Sequence, residues 1–426
     1  MLGRSWWVCA LITWIVAPAV SMATISYNVT GIAPVSGDNF STAFAINNNG
    51  EVVGVSYNAT FQLPTGGTSQ APTLTDGNGF FYTGTTTVIP ALGTSPKGLS
   101  IATPDALNDS GEIVGASTQT GFAAMAGFTD IGGVVALFDG GVPTGVNNSG
   151  AFVGSGSNSS FRANGTVVPL TGLTSVSPLA FGINNGGVTI GASGTNSSTN
   201  TAPNIHVVQW AADSTTPTDL GGLSGFAVNV GFAINTAGDA VGYGFNPVGA
   251  TKSTTVNPTN QNGSIVLGLP QSLISTGEGS EFFNGQAMLY SAKTQKMTGL
   301  GDLGGGFSVA EAMNDSDEVV GMSLDSTGDY HAFLFNGTSM IDLNSLIPAT
   351  SGWDLINADG INNAGDIVGY GDNDGLFEAF ELTPNGTISG GGGGPPAVPL
   401  PSAFHSGLFL LITLGAVKTI RAAKAS

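Results

Sequence analysis

The sequence has almost no cysteine: of 426 residues, only Cys9 carries a thiol. Cys9 lies inside an apolar run near the N-terminus and follows bulky residues, where a lipid-attachment site would have small ones. If the chain is processed after residue 23, the mature protein contains no thiol. Disulfide bonds, cysteine-ligated metals and a cysteine nucleophile are then excluded, and packing and sheet hydrogen bonds must stabilise the fold.

Basic residues are also scarce. Nine Lys and Arg stand against 28 Asp and Glu, and charged residues make up only 9% of the chain. Four of the basic residues lie in the terminal segments, so residues 24–388 hold five basic and 28 acidic residues, a net charge of −23. Nucleic acid is not expected as a partner, because phosphate neutralisation requires Lys and Arg. Such a surface favours solubility, cation uptake or contact with neutral glycans.

Glycine, in contrast, is abundant. The 66 glycines are about 15% of the chain, roughly twice the usual ~7%. They follow no G-X-Y period, which excludes a collagen-like chain. Each glycine inside a helix costs about 1 kcal/mol relative to alanine, so the composition favours strands and turns over long helices.

The first 23 residues have the organisation of a secretory signal peptide. Arg4 precedes an apolar run over residues 6–20, and the segment ends with Ser21-Met22-Ala23, which has small residues at its last and third-last positions. This pattern predicts cleavage by signal peptidase after Ala23. A retained membrane anchor is the alternative, although about 15 apolar residues are fewer than the ~20 that a span requires.

The C-terminal region has the composition of a sorting signal. A Gly/Pro linker (residues 389–397) leads to Val398-Pro399-Leu400-Pro401, an apolar stretch over residues 403–420 and a basic end with Arg421 and Lys424. The apolar stretch predicts a transmembrane segment with its basic end on the cytoplasmic side. Residues 398–426 resemble a PEP-CTERM signal, which implies cleavage by an exosortase. Leu400 stands where the usual box has Glu, so the box is a variant. A simple C-terminal anchor is the alternative.

One short pattern occurs seven times between residues 46 and 369. Each copy has an apolar residue, then Asn, and a Gly seven residues after that Asn. Asn314 is followed three residues later by Asp317, whereas the other six copies have Gly there: Asn47 with Gly50, Asn108 with Gly111, Asn147 with Gly150, Asn184 with Gly187, Asn235 with Gly238 and Asn362 with Gly365. Asn followed three residues later by Gly is typical of a type I turn, in which the Asn side chain bonds the backbone and Gly takes a positive φ. The pattern predicts seven hairpins.

A second hairpin is predicted between successive copies. Its clearest example is the strand 331–335, an Asn336-Gly337 turn and the strand 339–343, since Asn-Gly between apolar runs favours a tight hairpin. Related sequences occur at 207–210 with 219–222, and at 286–290 with 302–305. Two hairpins per repeat make four strands.

These motifs resemble a known repeat family. The His331-Ala332-Phe333 string, the Asp-Leu-Gly segments and the Ala-x-x-Ile-Asn-x-x-Gly-x-x-Val-Gly pattern are similar to the HAF repeats of extracellular bacterial proteins, over about residues 25–382. The resemblance implies an extracellular repeat protein. It implies no catalytic residues, because none are defined for that family.

The repeat spacing predicts a β-propeller. Successive asparagines are 61, 39, 37, 51, 79 and 48 residues apart, and a four-stranded blade takes about 40–45 residues. We expect seven four-stranded blades over residues 24–388, with a strand at 25–30 pairing with one at 378–382 to close the ring. A six- or eight-bladed ring and tandem β-sandwiches are the alternatives. The long intervals predict inserted loops at 57–78 and 244–284.

The sequence contains no recognisable catalytic or cofactor motif. It has no G-x-S-x-G, H-E-x-x-H or P-loop, and His206 and His331 are too few for a zinc site and are expected to be structural. Carboxylates are the plentiful reactive groups. Asp315, Asp317, Asp372 and Asp374 are weak candidates for Ca²⁺ ligands because they are closely spaced acids in turns; turn capping or solubility is the alternative.

Three functions follow as hypotheses. The first is a non-catalytic exported protein of the cell surface or extracellular matrix, acting in adhesion, scaffolding or carbohydrate binding. It would meet signal peptidase and an exosortase during export, touch the membrane through its C-terminal segment before processing, and contact exopolysaccharide or the cell envelope. The second is a polysaccharide lyase or hydrolase with paired carboxylates, which predicts acids converging at one central mouth. The third is a Ca²⁺-dependent structural surface protein.

Overall fold

A computed structural model describes residues 25–60, 73–96, 98, 100–120, 125–156, 160–175, 177–195, 204–246 and 285–385. These residues form 28 β-strands and one 3-10 helix, and none of them belongs to an α-helix. The predicted all-β class is therefore confirmed. The predicted signal peptide, Gly/Pro linker, sorting box (Val398, Pro399, Leu400, Pro401) and transmembrane segment lie outside the described residues.

The strands form four-stranded antiparallel units in chain order. After β1 (Tyr27–Ile32), unit 1 contains β2 (Phe40–Ile46), β3 (Val52–Thr60), β4 (Thr73–Tyr82) and β5 (Thr86–Ile89). Unit 2 contains β6 (Ala102–Leu107), β7 (Ile113–Ser117), β8 (Ala126–Ile131) and β9 (Val134–Phe138). Unit 3 contains β10 (Val142–Val146), β11 (Phe152–Ser155), β12 (Ser160–Ala163) and β13 (Val167–Pro169).

The second half of the chain continues the same order. Unit 4 contains β14 (Leu179–Ile183), β15 (Thr189–Gly194), β16 (Ile205–Trp210) and β17 (Thr218–Gly221). Unit 5 contains β18 (Val228–Ile234), β19 (Ala240–Phe245), β20 (Gly285–Ser291) and β21 (Lys296–Gly299). Unit 6 contains β22 (Gly304–Met313), β23 (Val319–Asp325), β24 (Tyr330–Phe335) and β25 (Met340–Asp342), followed by the 3-10 helix Leu343–Leu346. Units 4, 5 and 6 are joined by two single parallel pairs, Ile205 with Val228 and Gly285 with Phe307.

Unit 7 combines the two ends of the described chain. It contains β26 (Trp353–Ile361), β27 (Ile367–Asn373) and β28 (Leu376–Pro384), and β1 adds to the edge of β28. The register runs antiparallel from Tyr27 opposite Pro384 to Ile32 opposite Ala379. The predicted pairing of the N- and C-terminal strands is confirmed. It covers an edge that would otherwise be open for intermolecular pairing.

The first strand of every unit has a β-bulge at the same place, three residues before the turn asparagine. The bulged residues are Phe44, Asp105, Thr144, Phe181, Phe232, Glu311 and Asp359. The bulge explains the glycine that ends each copy of the repeat pattern. In unit 4, a Cβ atom on Gly191 would collide with the carbonyl oxygen of Leu179, and the equivalent glycine of every other unit meets the equivalent carbonyl. Only glycine allows the second strand to approach the bulge this closely.

Consecutive units pack face to face through buried apolar clusters. One cluster joins units 1 and 2, and others join 2 and 3, 3 and 4, 4 and 5, 5 and 6, and 6 and 7. A further cluster joins unit 7 to unit 1, with Ile32 and Ala379 on one side and Ala43 and Ile46 on the other. Each small sheet therefore hides its apolar faces against two neighbours.

A separate cluster is shared by units 1, 4, 5, 6 and 7. It contains the bulged Phe44, Phe181 and Phe232, together with residues such as Val309 and Ile356 on other first strands. Phe181 and Phe232 meet edge to face, with ring centroids 5.5 Å apart. The first strands of these five units thus share one core.

Two details of the sequence prediction are wrong. Residues 57–78 are not entirely a loop, because β3 continues to Thr60 and β4 begins at Thr73, so the inserted residues partly extend the hairpin with Ala59 opposite Leu74. The fourth strand of unit 5 is β21, and the Asp302-Leu303 segment lies instead between β21 and β22. The β20–β21 turn is shorter than the Asp-Leu-Gly pattern suggests.

Candidate binding site

Each repeat turn is organised by its buried asparagine. In the first copy, Oδ1 of Asn47 accepts hydrogen bonds from the backbone N–H groups of Asn49 (3.0 Å) and Glu51 (2.9 Å). The N–H of Gly50 donates to the Asn47 carbonyl at 3.0 Å. Gly50 has a φ of 76°, and glycine occupies this left-handed region without the penalty that a Cβ atom brings.

The other five predicted turn glycines have the same backbone as Gly50. Each donates its N–H to the carbonyl oxygen of its own turn asparagine, at 2.9 to 3.1 Å. Their φ angles are also positive: Gly111 75°, Gly150 74°, Gly187 77°, Gly238 86° and Gly365 82°. Asp317 takes this position in the remaining turn. The glycines of the pattern therefore shape the turns, and a glycine carries no side chain that could bind a ligand.

The side-chain nitrogen of the same asparagines links each turn to the next one. Nδ2 donates to the carbonyl oxygen of the following turn asparagine in six cases: Asn47 to Asn108 (3.0 Å), Asn108 to Asn147 (2.9 Å), Asn147 to Asn184 (3.0 Å), Asn184 to Asn235 (2.9 Å), Asn314 to Asn362 (3.1 Å) and Asn362 to Asn47 (3.2 Å). The last link returns from unit 7 to unit 1. The seven asparagines are at most 3% exposed, so these amides stabilise the turns and are not open to a ligand.

The junction between units 5 and 6 differs from the others. Nδ2 of Asn235 donates to Oδ1 of Asp317 (2.9 Å). Asp317 occupies the position of the turn glycine and keeps its left-handed backbone, with a φ of 60°. Burial and the nearby Asp239 carboxylate raise the pKa of Asp317, and the Asn235 hydrogen bond offsets part of this effect. A carboxylate thus replaces a backbone carbonyl in this one link.

A second set of links involves the residue after each turn asparagine. Its backbone N–H donates to the side chain of the next turn at six junctions: Asn48 to Asp109, Asp109 to Asn148, Asn148 to Asn185, Thr236 to Asp315, Asp315 to Asn363 and Asn363 to Asn48. The Asp109 carboxylate also accepts from Nδ2 of Asn48 (3.1 Å) and Asn148 (2.8 Å). The polar groups at this end are therefore largely occupied by each other.

Three of the seven bulged residues are acids. Asp105, Glu311 and Asp359 are 7%, 2% and 0% exposed. Nδ2 of Asn357 donates to Oδ1 of Asp359 at 2.6 Å. Burial, followed by the charge of Glu311, raises the pKa of Tyr243. These three residues are therefore buried.

An open cleft lies between units 3 and 4, beside the turns at Asn147 and Asn184. Its volume is about 400 Å³, and its lining includes Arg162, Asn164, Thr166, Asn185, Asp213 and Thr215. Amide and hydroxyl side chains, one guanidinium and one carboxylate lie there among apolar residues such as Val168 and Ala212. Groups of this kind suit a ligand that both donates and accepts hydrogen bonds.

Arg162 connects the two sides of this cleft. From β12 of unit 3, Nη1 donates to the carbonyl oxygens of Ala211 (2.8 Å) and Gly187 (3.3 Å), and Nη2 donates to that of Ser214 (2.8 Å). Burial lowers the pKa of Arg162, and the nearby Asp213 opposes this shift. No described residue accepts a hydrogen bond from Nε, which leaves one guanidinium edge with donor capacity.

Both histidines of the described chain pair with an aspartate on the next strand. Nδ1 of His331 lies 2.8 Å from Oδ2 of Asp342, and Nδ1 of His206 lies 2.9 Å from Oδ1 of Asp219. The hydrogen bond to Asp342 raises the pKa of His331 against an opposing effect of burial. These pairs join the third and fourth strands of units 6 and 4.

The candidate Ca²⁺ ligands are spread over two kinds of turn. Asp315 and Asp317 lie in the repeat turn of unit 6, where Asp315 accepts from Thr236, while Asp372 and Asp374 lie at the β27–β28 turn, at the other end of β27 from Asn362. Within the described ranges, no three His, Cys, Asp or Glu side chains are grouped closely enough to hold a metal ion.

The sequence pattern located the turn residues but did not point to Arg162 or the bulged acids. A signal for the acids was present, since the position three residues before the turn asparagine holds Asp or Glu in three copies and Phe in three others. For Arg162 the signal was that it is the single arginine between residues 24 and 388. Its partners are backbone carbonyls of another unit, which no sequence spacing indicates.

Comparisons with known proteins do not assign the chain to a family. No protein-family model and no curated protein matches the sequence. Among solved structures, the acylaminoacyl peptidase of Pyrococcus horikoshii is similar, with a TM-score of 0.41 and 9% identity over 83% of this chain and 53% of that protein. The chain thus spans about half the length of that enzyme. A similarity of this size carries no argument about function.

The described part of the chain includes no helix with the length and apolar character needed to cross a membrane. The predicted segment 403–420 lies outside that part.

Proposed function

We propose that the seven units are the blades of a seven-bladed β-propeller, as the repeat spacing predicts. Three observations support this arrangement. Each unit shares an apolar cluster with the next, and unit 7 shares one with unit 1. The asparagine links follow the same order and return from Asn362 to Asn47. The pairing of β1 with β28 completes the last blade from both ends of the chain, which is how a ring removes its open edges.

The propeller is a non-catalytic exported protein of the cell surface or extracellular matrix, and it binds carbohydrate. The observation that carries this function is the cleft between units 3 and 4, which is open and combines amide and hydroxyl side chains of both units with apolar residues. Export is supported by the signal-peptide pattern of residues 1–23, the PEP-CTERM-like segment 398–426 and the resemblance to HAF repeats. A thiol-free chain with a net charge of −23 between residues 24 and 388 suits such a location.

The hydrolase or lyase alternative needs carboxylates that a substrate can reach. The acids Asp105, Glu311 and Asp359 come from equivalent strands, but the largest exposure among them is 7%. A general acid must lie within hydrogen-bond reach of its substrate. The exposed cleft, which contains one carboxylate at Asp213, therefore favours binding over catalysis.

Two measurements test this function. Fractionation of the native cells, with mass spectrometry of the protein ends, should find the chain outside the cytoplasm, with an N-terminus at Thr24 and a C-terminus near Pro401. A cytoplasmic chain with an intact N-terminus would contradict export. The purified protein should also be retained by exopolysaccharide from the same cells, and failure to bind any such fraction would contradict carbohydrate binding.

A further inference from the structure

We propose that the cleft around Arg162 is a subsite for a neutral saccharide. This inference rests on the proposed function and adds its location and ligand class. The cleft lies at the junction of units 3 and 4, where the third and fourth repeat turns meet the β12–β13 and β16–β17 turns. A saccharide ring fits the chemistry because its hydroxyls pair with amides, hydroxyls and carboxylates.

The repeat fold by itself does not require an arginine at this site. The six positions equivalent to Arg162, opposite the same residue of the second strand, hold Phe81, Thr129, Gln209, Leu289, Leu334 and Glu381. Six units therefore form the same third strand without a cation. Arg162 is a feature of this junction alone, and it places a charged donor where the other junctions have none.

The available groups are arranged for hydrogen bonding. The β12–β13 turn presents the exposed side chains of Asn164 and Thr166, neither of which has a protein partner in the described part of the chain. Across the cleft, Asp213 is also exposed and offers carboxylate acceptors. Arg162 also lines the cleft, and no described residue accepts a hydrogen bond from its Nε–H. Donors and acceptors thus come from both units around one opening.

The charge balance favours a neutral ligand. Arg162 and Asp213 cancel within the cleft, while the surrounding body is strongly anionic. A uronate or sulfated sugar would meet this repulsion and would have to compete with Asp213 for Arg162. A neutral sugar avoids both effects and can still bond the exposed side chains of Asn164, Thr166 and Asp213. Val168 and Ala212 add small apolar contacts for its C–H groups.

The test is calorimetric titration of the purified chain with cellohexaose, maltohexaose and laminarihexaose, and with oligogalacturonate of the same length. At least one neutral hexamer should bind. A chain with Asn164→Ala and Thr166→Ala should bind it about tenfold more weakly, since two hydrogen-bonding side chains are lost, without a fall in Tm. Asp213→Asn should also weaken binding.

The sixth unit offers a matched control. Its β24–β25 turn has the same Asn-Gly-Thr sequence at Asn336, Gly337 and Thr338, far from the cleft, so Asn336→Ala with Thr338→Ala should leave the affinity unchanged. Asp139→Asn removes one exposed acid outside the cleft and controls for net charge. Arg162 is not substituted in this test, because its guanidinium also donates hydrogen bonds to three backbone carbonyls of unit 4.

The outcomes separate the two proposals. If the wild-type chain binds a neutral hexamer and the cleft variants bind it equally well, the cleft is not the site, while carbohydrate binding stands. If oligogalacturonate binds more tightly than every neutral hexamer, the ligand class is wrong. A further outcome is that none of the hexamers binds, while the native exopolysaccharide binds the wild-type chain and the Asn164/Thr166 variant equally well. In that case the proposed subsite is wrong and carbohydrate binding stands. If that polysaccharide also fails to bind the wild-type chain, carbohydrate binding itself is contradicted.

Discussion

The side-chain nitrogen of Asn362 lies 3.2 Å from the carbonyl oxygen of Asn47 and donates a hydrogen bond to it, although 315 residues separate the two along the chain. The same bond joins neighbouring repeats elsewhere, for example Asn108 to Asn147. The contact between the first and last turns is thus equivalent to the contacts between consecutive turns. An open row of units would leave its two end turns without this link.

Closure by the terminal strands can be tested with an engineered disulfide. Thr30 and Glu381 are opposite each other in the β1–β28 register, and the chain after residue 23 has no other thiol. Thr30→Cys with Glu381→Cys should form a crosslink and raise the free energy of unfolding by about 2–4 kcal/mol, because it constrains a long loop of the unfolded chain. Denaturant unfolding with and without reductant measures the gain.

The control pairs Thr30→Cys with Glu378→Cys, which is out of register and should not crosslink. If oxidation fails to join residues 30 and 381, then β1 does not pair with β28 in solution.

The turn asparagines should be important for stability. Oδ1 of Asn147 accepts from the N–H groups of Ser149 and Ala151, and its Nδ2 donates to the carbonyl of Asn184. Asn147→Ala removes all three hydrogen bonds, leaves the buried N–H of Ala151 without its partner, and should lower the free energy of unfolding by about 2–4 kcal/mol. Chemical denaturation followed by tryptophan fluorescence measures the loss.

Asn164→Ala removes an exposed amide from the same unit and should change stability by less than about 0.5 kcal/mol. Equal losses for both variants would mean that the Asn147 links do not form.

The unusual junction at Asp317 predicts a stabilising substitution. Asp317→Gly restores the residue of the other six turns, relieves a left-handed backbone, and frees Asn235 to bond the Asn314 carbonyl. A gain of about 1 kcal/mol is expected. The pKa of Asp317 is raised in the folded protein, so its carboxyl favours folding when protonated, below the ordinary pKa of about 3.9. This contribution is lost as the pH rises through the raised pKa.

The advantage of the Asp317→Gly chain should therefore be larger at pH 7 than at pH 3.5, as measured by urea denaturation. Asp374→Gly is the matched control for the backbone effect, since Asp374 also has a left-handed backbone with a φ of 51° but lies outside the asparagine links. A destabilised Asp317→Gly chain would show that the carboxylate link is better than the carbonyl link that it replaces.

His331 should make the free energy of unfolding depend on pH in the neutral range. Its pKa is raised by the hydrogen bond to Asp342, so the pair contributes fully below the unfolded pKa of about 6.5 and loses its contribution as the pH rises through the folded pKa. The difference in stability between the wild-type chain and His331→Gln should thus be largest near pH 5.5 and smaller at pH 8.5.

His206→Gln removes the equivalent pair of unit 4, whose aspartate is more exposed, with a side-chain exposure of 42% against 29% for Asp342. It should have the weaker effect, because exposed ion pairs contribute little. A His331→Gln difference that grows with pH would contradict the assigned pairing.

By itself, the amino-acid sequence determined the local structure. The Asn-to-Gly interval defined seven turns and their flanking strands, because the turn requires an asparagine that bonds its own backbone and a residue that tolerates positive φ. Asn336-Gly337 likewise indicated the β24–β25 hairpin. The terminal strands could be matched because they complete an interrupted repeat. All these features depend on residues that are close in sequence or share one pattern.

Tertiary structure decided everything that depends on groups from different units. The link from Asn235 to Asp317 and the contacts of Arg162 with the carbonyls of unit 4 have no fixed sequence spacing. They arise where two sheets approach and where a backbone carbonyl happens to lie. Every residue has a backbone carbonyl, so the identity of a residue does not show whether its carbonyl accepts a hydrogen bond from another unit. Only the packed structure could identify these contacts.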